Sequence, residues 1–239
     1  GTGHYARRRC TPDGADILTG IDPNKDQTYF LALMSGEQAD DARFPVGDLR
    51  KDEVRALARE AGLPNADKKD SQGICFVGNV RMKDFLGAFL EDRPGPILDL
   101  EGRERGRHRG LHYFTLGQRH GLGIASAVEG EHYVVVRKDR ERNALIIGLD
   151  RPATAGLYNR DCVIGSLHFI RRRPDGPFEG QARPRYRCPS QDVRVEPMAD
   201  DRARVVFRRP QRALTPGQIC ALYDGDILLG GGIFETIFD

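Results

Sequence analysis

The stretch "QICALYDGDILLGGGIF", residues 218–234, decides how the second half of this chain folds. It sets apolar runs on either side of Asp224-Gly225, a dipeptide suited to the type I′ turn of a tight β-hairpin because glycine accepts positive φ at no steric cost. Upstream lie "DCVIGSLHFI", "GQARPRYRC", "DVRVEPM" and "RARVVFRRP". They are short, rich in β-branched residues and separated by turn formers, the pattern of a small barrel or sandwich. Residues 160–239 therefore read as all-β.

Farther back the pattern changes. Residues 94–150 are rich in glycine and arginine, with alternating runs such as "HYVVVRKD" and "NALIIGL". Residues 24–91 read as mostly helical. "DQTYFLALM" predicts a helix after Asp22, Pro23 and Asn24. "KDEVRALAREAG" predicts another, with Val54, Leu57, Ala58 and Ala61 on one face and Gly62 as its stop. "VRMKDFLGAFLED" repeats that spacing through Met82, Phe85, Leu86, Phe89 and Leu90. The opening "GTGHYARR" reads as the end of a strand running into a loop, and the expectation is a fragment of a longer protein.

Composition sets bounds. Apolar residues make up 39% and charged residues 30% of the 239, which fits a globular chain rather than a disordered one. No apolar run reaches the ~18 residues of a membrane span, and the opening has no secretory h-region. Five scattered cysteines without C-x-x-C spacing argue against a disulfide framework or a zinc ribbon and for a reducing cytoplasm. The net charge is only +2, yet just six of 37 basic residues are lysine. Arginine's planar fork suits phosphate and stacks on bases; a GC-rich genome would produce the same bias.

Several segments carry candidate chemistry. "KKDSQGICFVG", residues 68–78, places Cys75 between Gly73 and Gly78, after two lysines. It reads either as a buried, inert cysteine among Ile74, Phe76 and Val77, or as a hinged thiol whose thiolate the cations favour. Lys25, Asp26 and Gln27 stand at a helix start, where backbone N–H groups attract phosphate, unless they simply cap it. His4 and Tyr5 suit a base or a phosphate, and His4 equally suits a strand end. Residues 103–120 hold five arginines and three histidines against one glutamate, and 171–187 six arginines against two acids, both with aromatics interleaved. That is the make-up of an RNA-facing surface, or of a solvated face balanced by acids elsewhere.

Together these segments resemble one family. "GTGHYAR", "GIDPNKDQTYFL", "FPVGDLRKDEVRALAREAGL", "KKDSQGICFVG", "FTLGQRHGLGI", "RPRYR" and "ALTPGQICALYDGDILLGGGIF" occur in the order found in the tRNA-specific 2-thiouridylases. The resemblance implies an α/β remnant of an adenine nucleotide α-hydrolase-like domain over 1–79. A small central β-rich domain would follow over 80–150, then a C-terminal β-barrel over 151–239. It implies a cytoplasmic, monomeric sulfurtransferase that thiolates the wobble uridine of tRNA with ATP and Mg2+, taking sulfur from a persulfide donor protein. Cys75 would carry that sulfur, and a D-x-x-C cysteine of the family would close a disulfide with it. Gly3 would line the ATP site. His4, Lys25, Asp26, Gln27, Arg185, Tyr186 and Gln218 would contact tRNA. No metal ligand is implied. The family's S-G-G-x-D-S phosphate loop and D-x-x-C cysteine are not found in these 239 residues, so the chain by itself is expected not to adenylate uridine. Cys188 stands where relatives often carry glutamine. Two other readings stay open: a non-catalytic tRNA-binding fragment, and a sulfur carrier acting on proteins.

Overall fold

The computed structural model describes residues 1–68, 82–126, 129–171 and 173–238. Cys75 and its neighbours lie outside the described residues. The chain divides into two compact units: one of residues 1–68, 160–211 and 215–238, the other of 69–159 and 212–214.

The first unit is built on eight strands: β1 (Ala6–Thr11), β2 (Gly14–Thr19), β7 (Tyr158–Phe169), β8 (Phe178–Arg183), β9 (Gln191–Pro197), β10 (Ala203–Arg212), β11 (Ile219–Asp224) and β12 (Ile227–Phe238). Their order is β1-β2-β12-β11-β8-β9-β10-β7, and β12 pairs with β7 as well, which closes six of them into a barrel. Inward positions alternate along β9 and β10, so Val193, Val195, Val205 and Phe207 are fully buried. Each such side chain contributes about 1.5–3 kcal/mol by leaving water.

The glycines of "LLGGGIF" make this closure possible. β12 runs between β11 and β7, and a Cβ on Gly231 would stand 2.5 Å from the Cys220 carbonyl oxygen. One on Gly230, where φ is +146°, would stand 2.1 Å from the His168 oxygen. Only a residue without a side chain fits between two strands this close. The hairpin turn differs by one residue from the sequence reading. Asp224 pairs with Ile227, so Gly225 and Asp226 are the loop residues. Gly225 has φ of +59° while Asp226 is not at positive φ, the pattern of a type II′ turn with glycine first.

The first 68 residues depart further from expectation. Rather than ending a strand, "GTGHYARR" leads into one, and β1 and β2 form a hairpin around Pro12-Asp13, with Gly14 at φ +112°. This hairpin joins the barrel sheet through Ile17 opposite Leu228 and Leu18 opposite Ile227. "DQTYFLALM" gives only a four-residue 3-10 turn, Thr28–Leu31. Thr28, Tyr29, Leu31 and Ala32 are buried while Phe30 and Leu33 are exposed, so the segment keeps one apolar face although only a single 3-10 turn forms. Ser35 then caps α1 (Gly36–Asp41), its Oγ accepting the Gln38 N–H at 3.1 Å while Gln38 Oε1 accepts the Ser35 N–H at 2.9 Å. The helix expected at "KDEVRALAREAG" is α2 (Lys51–Glu60). None of its residues is buried, and Leu57 is 51% exposed. It is held locally, by Glu53 Oε2 accepting the Arg50 N–H at 2.6 Å and Asp22 Oδ2 accepting the Lys51 N–H at 3.1 Å.

Among the described residues the second unit starts with α3 (Met82–Phe89) and forms a four-stranded sheet ordered β4-β3-β6-β5 from β3 (Gly95–Leu98), β4 (Glu104–His108), β5 (Tyr133–Asp139) and β6 (Ala144–Leu149). β5 and β6 are covered on both faces. Val135, Leu145 and Ile147 pack with Ile97, Phe114 and Leu122, while Val134, Val136 and Ile146 pack with Leu157 and Ala213. Two-sided burial explains the unbroken "VVV" and "ALII" runs.

Candidate nucleic-acid interface

The candidate site is organised by two carboxylates in "GIDPNKDQTYF". Asp22 Oδ1 accepts the Asn24 N–H at 3.0 Å, and its Oδ2 holds the start of α2. Asp26 is buried. Its Oδ1 accepts the Gly20 N–H at 3.1 Å and the Thr28 hydroxyl at 3.0 Å, and its Oδ2 accepts the Arg183 guanidinium. Arg183 also donates to Ser190 Oγ at 3.0 Å and lies 4.4 Å over the Tyr223 ring. Tyr223 and Thr28 share a hydroxyl contact of 3.1 Å. Burial pushes the Tyr223 phenol up to about 12, so it remains a neutral partner at physiological pH.

Gln27 fixes the strand entry. Its Oε1 accepts the Tyr5 N–H at 3.1 Å, and its own N–H donates to the Tyr5 carbonyl at 3.0 Å. His4, next in the chain, is half-buried, with Nδ1 2.7 Å from Thr2 Oγ1. Gly3 is exposed, with nothing within 4 Å of where a Cβ would stand. Lys25 is half-buried on the turn made by the Asp22 carbonyl.

The turn after β8 carries Arg185 and Tyr186. Tyr186 is half-buried, its ring 4.5 Å from Phe30 and 6.3 Å from Tyr29. Arg187, at φ +65°, places its guanidinium 5.3 Å from the Tyr186 ring. Phe30 is 50% exposed, whereas Tyr29 is buried and donates its hydroxyl to the Ile219 carbonyl at 2.8 Å. Burial pushes that phenol up to about 12. Gln218, beside Ile219, bonds through its backbone to Thr215 and Phe234, and its side-chain Oε1 is buried with no hydrogen-bond partner.

Residues far apart in sequence thus meet on one unit. Asp26 meets Arg183, Gln27 meets Tyr5 beside His4, and Phe30 meets Tyr186. The arrangement offers an exposed aromatic ring, a second half-exposed one and an arginine over it, which can receive a stacked base and a phosphate. Asp26 is turned inward, and its carboxylate is occupied by protein donors. Sequence reading passed over Phe30 and Arg183. The assumed helix hid Phe30's exposure, and Arg183 was one arginine within a basic run.

Those basic runs are largely neutralised. Arg105 pairs with Asp99 at 2.8 Å, Arg109 with Asp92 at 2.6 Å, Arg107 with Glu104 at 3.6 Å and Arg173 with Asp201 at 3.1 Å. Burial alone would raise the Asp99 carboxyl, but hydrogen bonds from the Arg103 N–H and the Arg105 side chain outweigh it and hold it low. Among the described cysteines, Cys162 and Cys220 lie in the barrel core. Burial pushes the Cys162 thiol up to about 12 and Cys220 well above its ordinary value, so neither is a ready nucleophile. Cys10, Cys162, Cys188 and Cys220 are free thiols.

Comparison with known proteins matches the chain in three parts. Residues 1–79 match a tRNA methyl transferase HUP domain, 83–149 a tRNA methyl transferase PRC-barrel domain, and 159–234 an aminomethyltransferase beta-barrel domain. A tRNA-specific 2-thiouridylase MnmA of Akkermansia muciniphila is 54% identical over 236 residues, covering 99% of this chain and 66% of that protein. The chain belongs to the tRNA-specific 2-thiouridylase family. Proteins of the same name from Halalkalibacterium halodurans and Pseudomonas aeruginosa are each 46% identical, over 99% and 98% of this chain and 63% of their own lengths. The chain thus spans slightly less than two thirds of these 2-thiouridylases. The family assigns a HUP-type first domain, a central PRC-barrel and a C-terminal β-barrel, in agreement with the fold class read from the sequence. Among the described residues no helix is long and apolar enough to cross a membrane.

Proposed function

We propose that this chain is the tRNA-gripping portion of a cytoplasmic enzyme that replaces the 2-oxygen of the wobble uridine with sulfur. The observation that supports it best is the joining of "KDQ" to "RYR". The Asp26–Arg183 ion pair and the Phe30–Tyr186 contact put Lys25, Gln27, Arg185 and Tyr186 on one unit. Lys25 and Arg185 meet phosphates, Tyr186 and Phe30 receive a base, and His4 and Gln218 complete the contact. Asp26 acts through Arg183, as a positioning residue.

Cys75 takes sulfur from a persulfide donor protein, and its terminal sulfur attacks C2 of the uridine. With ATP bound, the 2-oxygen would leave as an oxygen of AMP, and a second thiol attacks Cys75 Sγ, closing a disulfide with it while the outer sulfur stays on C2. Glycines on both sides of Cys75 suit a thiol that must first be reached and then shielded. Gly3 is open and exposed, and among the described residues no group of three His, Cys, Asp or Glu is placed to hold a metal ion. ATP with Mg2+, bound by the intact enzyme, would supply activation of the 2-oxygen.

In the full-length enzyme, Cys75→Ser is expected to abolish 2-thiouridine while leaving tRNA affinity within about twofold; undiminished thiolation sinks the proposal. The 239 residues alone are expected to bind tRNA and release no pyrophosphate from ATP.

A further inference from the structure

The second unit contains an open cleft of about 470 Å³, lined by Phe89, Leu90 and Leu111 together with Arg93, His112, Lys138 and Arg140, and also by Glu91 and Asn143. Its size lies within the ~300–1,000 Å³ of ordinary ligand sites. Its cations differ from most arginines of the unit, although exposed Arg119 and Arg137 outside it also have no carboxylate partner among the described residues. Arg103, Arg105, Arg107, Arg109, Arg142 and Arg151 all have carboxylate partners. Arg93, Lys138 and Arg140 have none among the described residues, although acids are plentiful nearby.

Three cations share the cleft with one carboxylate, Glu91, which forms no ion pair with any of them, and one of the cations is partly withdrawn from water. Lys138 is half-buried, and burial followed by the Arg140 charge holds its pKa below the ordinary value. An anion in the cleft relieves both. His112 adds an Nε2 that is buried with no hydrogen-bond partner, 3.6 Å from Asp92 Oδ1. The apolar lining is equally unsatisfied: Phe89 is 73% exposed and Leu90 45%. Three unpaired cations beside an exposed aromatic match a phosphate joined to a flat apolar ring. An acidic peptide would match the cations but has no need of the ring.

The geometry points to a nucleotide site: the cleft binds one nucleotide of tRNA, its phosphate on Arg93, Lys138 and Arg140 and its base against Phe89. This rests on the tRNA reading above and adds to it a contact carried by the second unit. Asn143 frames the site. At φ +48° it donates from Nδ2 to the carbonyls of Arg93 and Pro94, both at 3.1 Å, which ties the Arg93 segment to the turn between β5 and β6.

The test is filter binding of unmodified wobble-uridine tRNA to the 239-residue chain across about 50–200 mM salt. R93Q/K138Q/R140Q is expected to lower the salt slope by about one unit, since one phosphate contact carries roughly 0.7–0.9. The charge-preserving R93K/K138R/R140K keeps the slope. Phe89→Ala weakens binding without changing the slope. If the triple variant melts below the assay temperature, R93Q and R140Q, both at exposed positions, are measured singly, and each is expected to lower the slope. An unchanged slope with wild-type tRNA binding intact overturns the cleft site and leaves the tRNA reading standing. So does an unchanged slope with lost retention of polyglutamate, which would mark an acidic protein partner. No tRNA binding by the wild-type chain overturns both.

Discussion

Removing the Asp26 carboxylate should loosen the first unit far more than an ordinary surface change would. Its side chain is 5% exposed and that of Arg183 20%, so the pair belongs to the buried class. Deleting one member of such a pair costs about 3–5 kcal/mol, because the other charge remains in a poorly solvated place. Arg183 would keep Ser190 Oγ and the face of Tyr223, which favours the lower end. Against that, Asp26→Ala also strips acceptors from the Gly20 N–H and the Thr28 hydroxyl, at about 1–3 kcal/mol for a buried donor left unpaired. The expected loss is therefore about 4 kcal/mol, or roughly 8–16 °C in Tm at about 2–4 °C per kcal/mol for a chain of this size. Asp26→Asn keeps an acceptor oxygen and should cost about half as much. Removing both charges in D26N/R183M should recover stability relative to Asp26→Ala, because a buried pair replaced as a pair is close to neutral. The chain has no tryptophan, so urea unfolding is followed by tyrosine fluorescence, to which buried Tyr223 contributes. A loss below about 1 kcal/mol for Asp26→Ala, or a double variant no more stable than it, would refute the view that this ion pair joins the two segments.

Other expectations are simpler to state. Tyr186→Ala and Phe30→Ala should each weaken tRNA binding by about 1–3 kcal/mol with the salt slope intact, as stacking rather than charge is lost; a changed slope in filter binding would contradict this. Gly231→Ala should destabilise the barrel strongly, since a Cβ there meets the Cys220 carbonyl at 2.5 Å and Ala32 at 3.0 Å; native-like thermal melting of the variant would refute the close approach. His108 should make the second unit acid-sensitive. Burial lowers its pKa from 6.5, so the unfolded chain takes up its proton first. Stability is then full above about pH 6.5 and falls as pH drops from there through the folded value. His108→Gln should flatten that slope in urea titrations at pH 5 and 7.

Part of the fold was legible in the residues. β9, β10 and the β11–β12 hairpin show because alternation and turn formers are local signals, and α2 shows because its periodicity and its stop at Gly62 are local too. The β1–β2 hairpin was hidden. Its strand "ARRRCT" has three arginines, and what holds it is remote: Arg8 donates to the Ala39 and Asp40 carbonyls, and Arg7 pairs with Asp226. The 3-10 turn at Thr28–Leu31 reads as a helix because its buried and exposed positions keep helical spacing. The Ser35-x-x-Gln38 capping box, by contrast, was a readable signal that was passed over.

Sequence by itself determined the all-β second half, the family and the residue types a tRNA-binding chain would need. All three rest on order and spacing along the chain. Which cations pair with neighbouring carboxylates and which do not was decided only by tertiary structure. So were the inward turn of Asp26 and the meeting of Phe30 with Tyr186. Pairing energies fall off within a few ångströms, and a linear sequence does not record which charges and rings come that close.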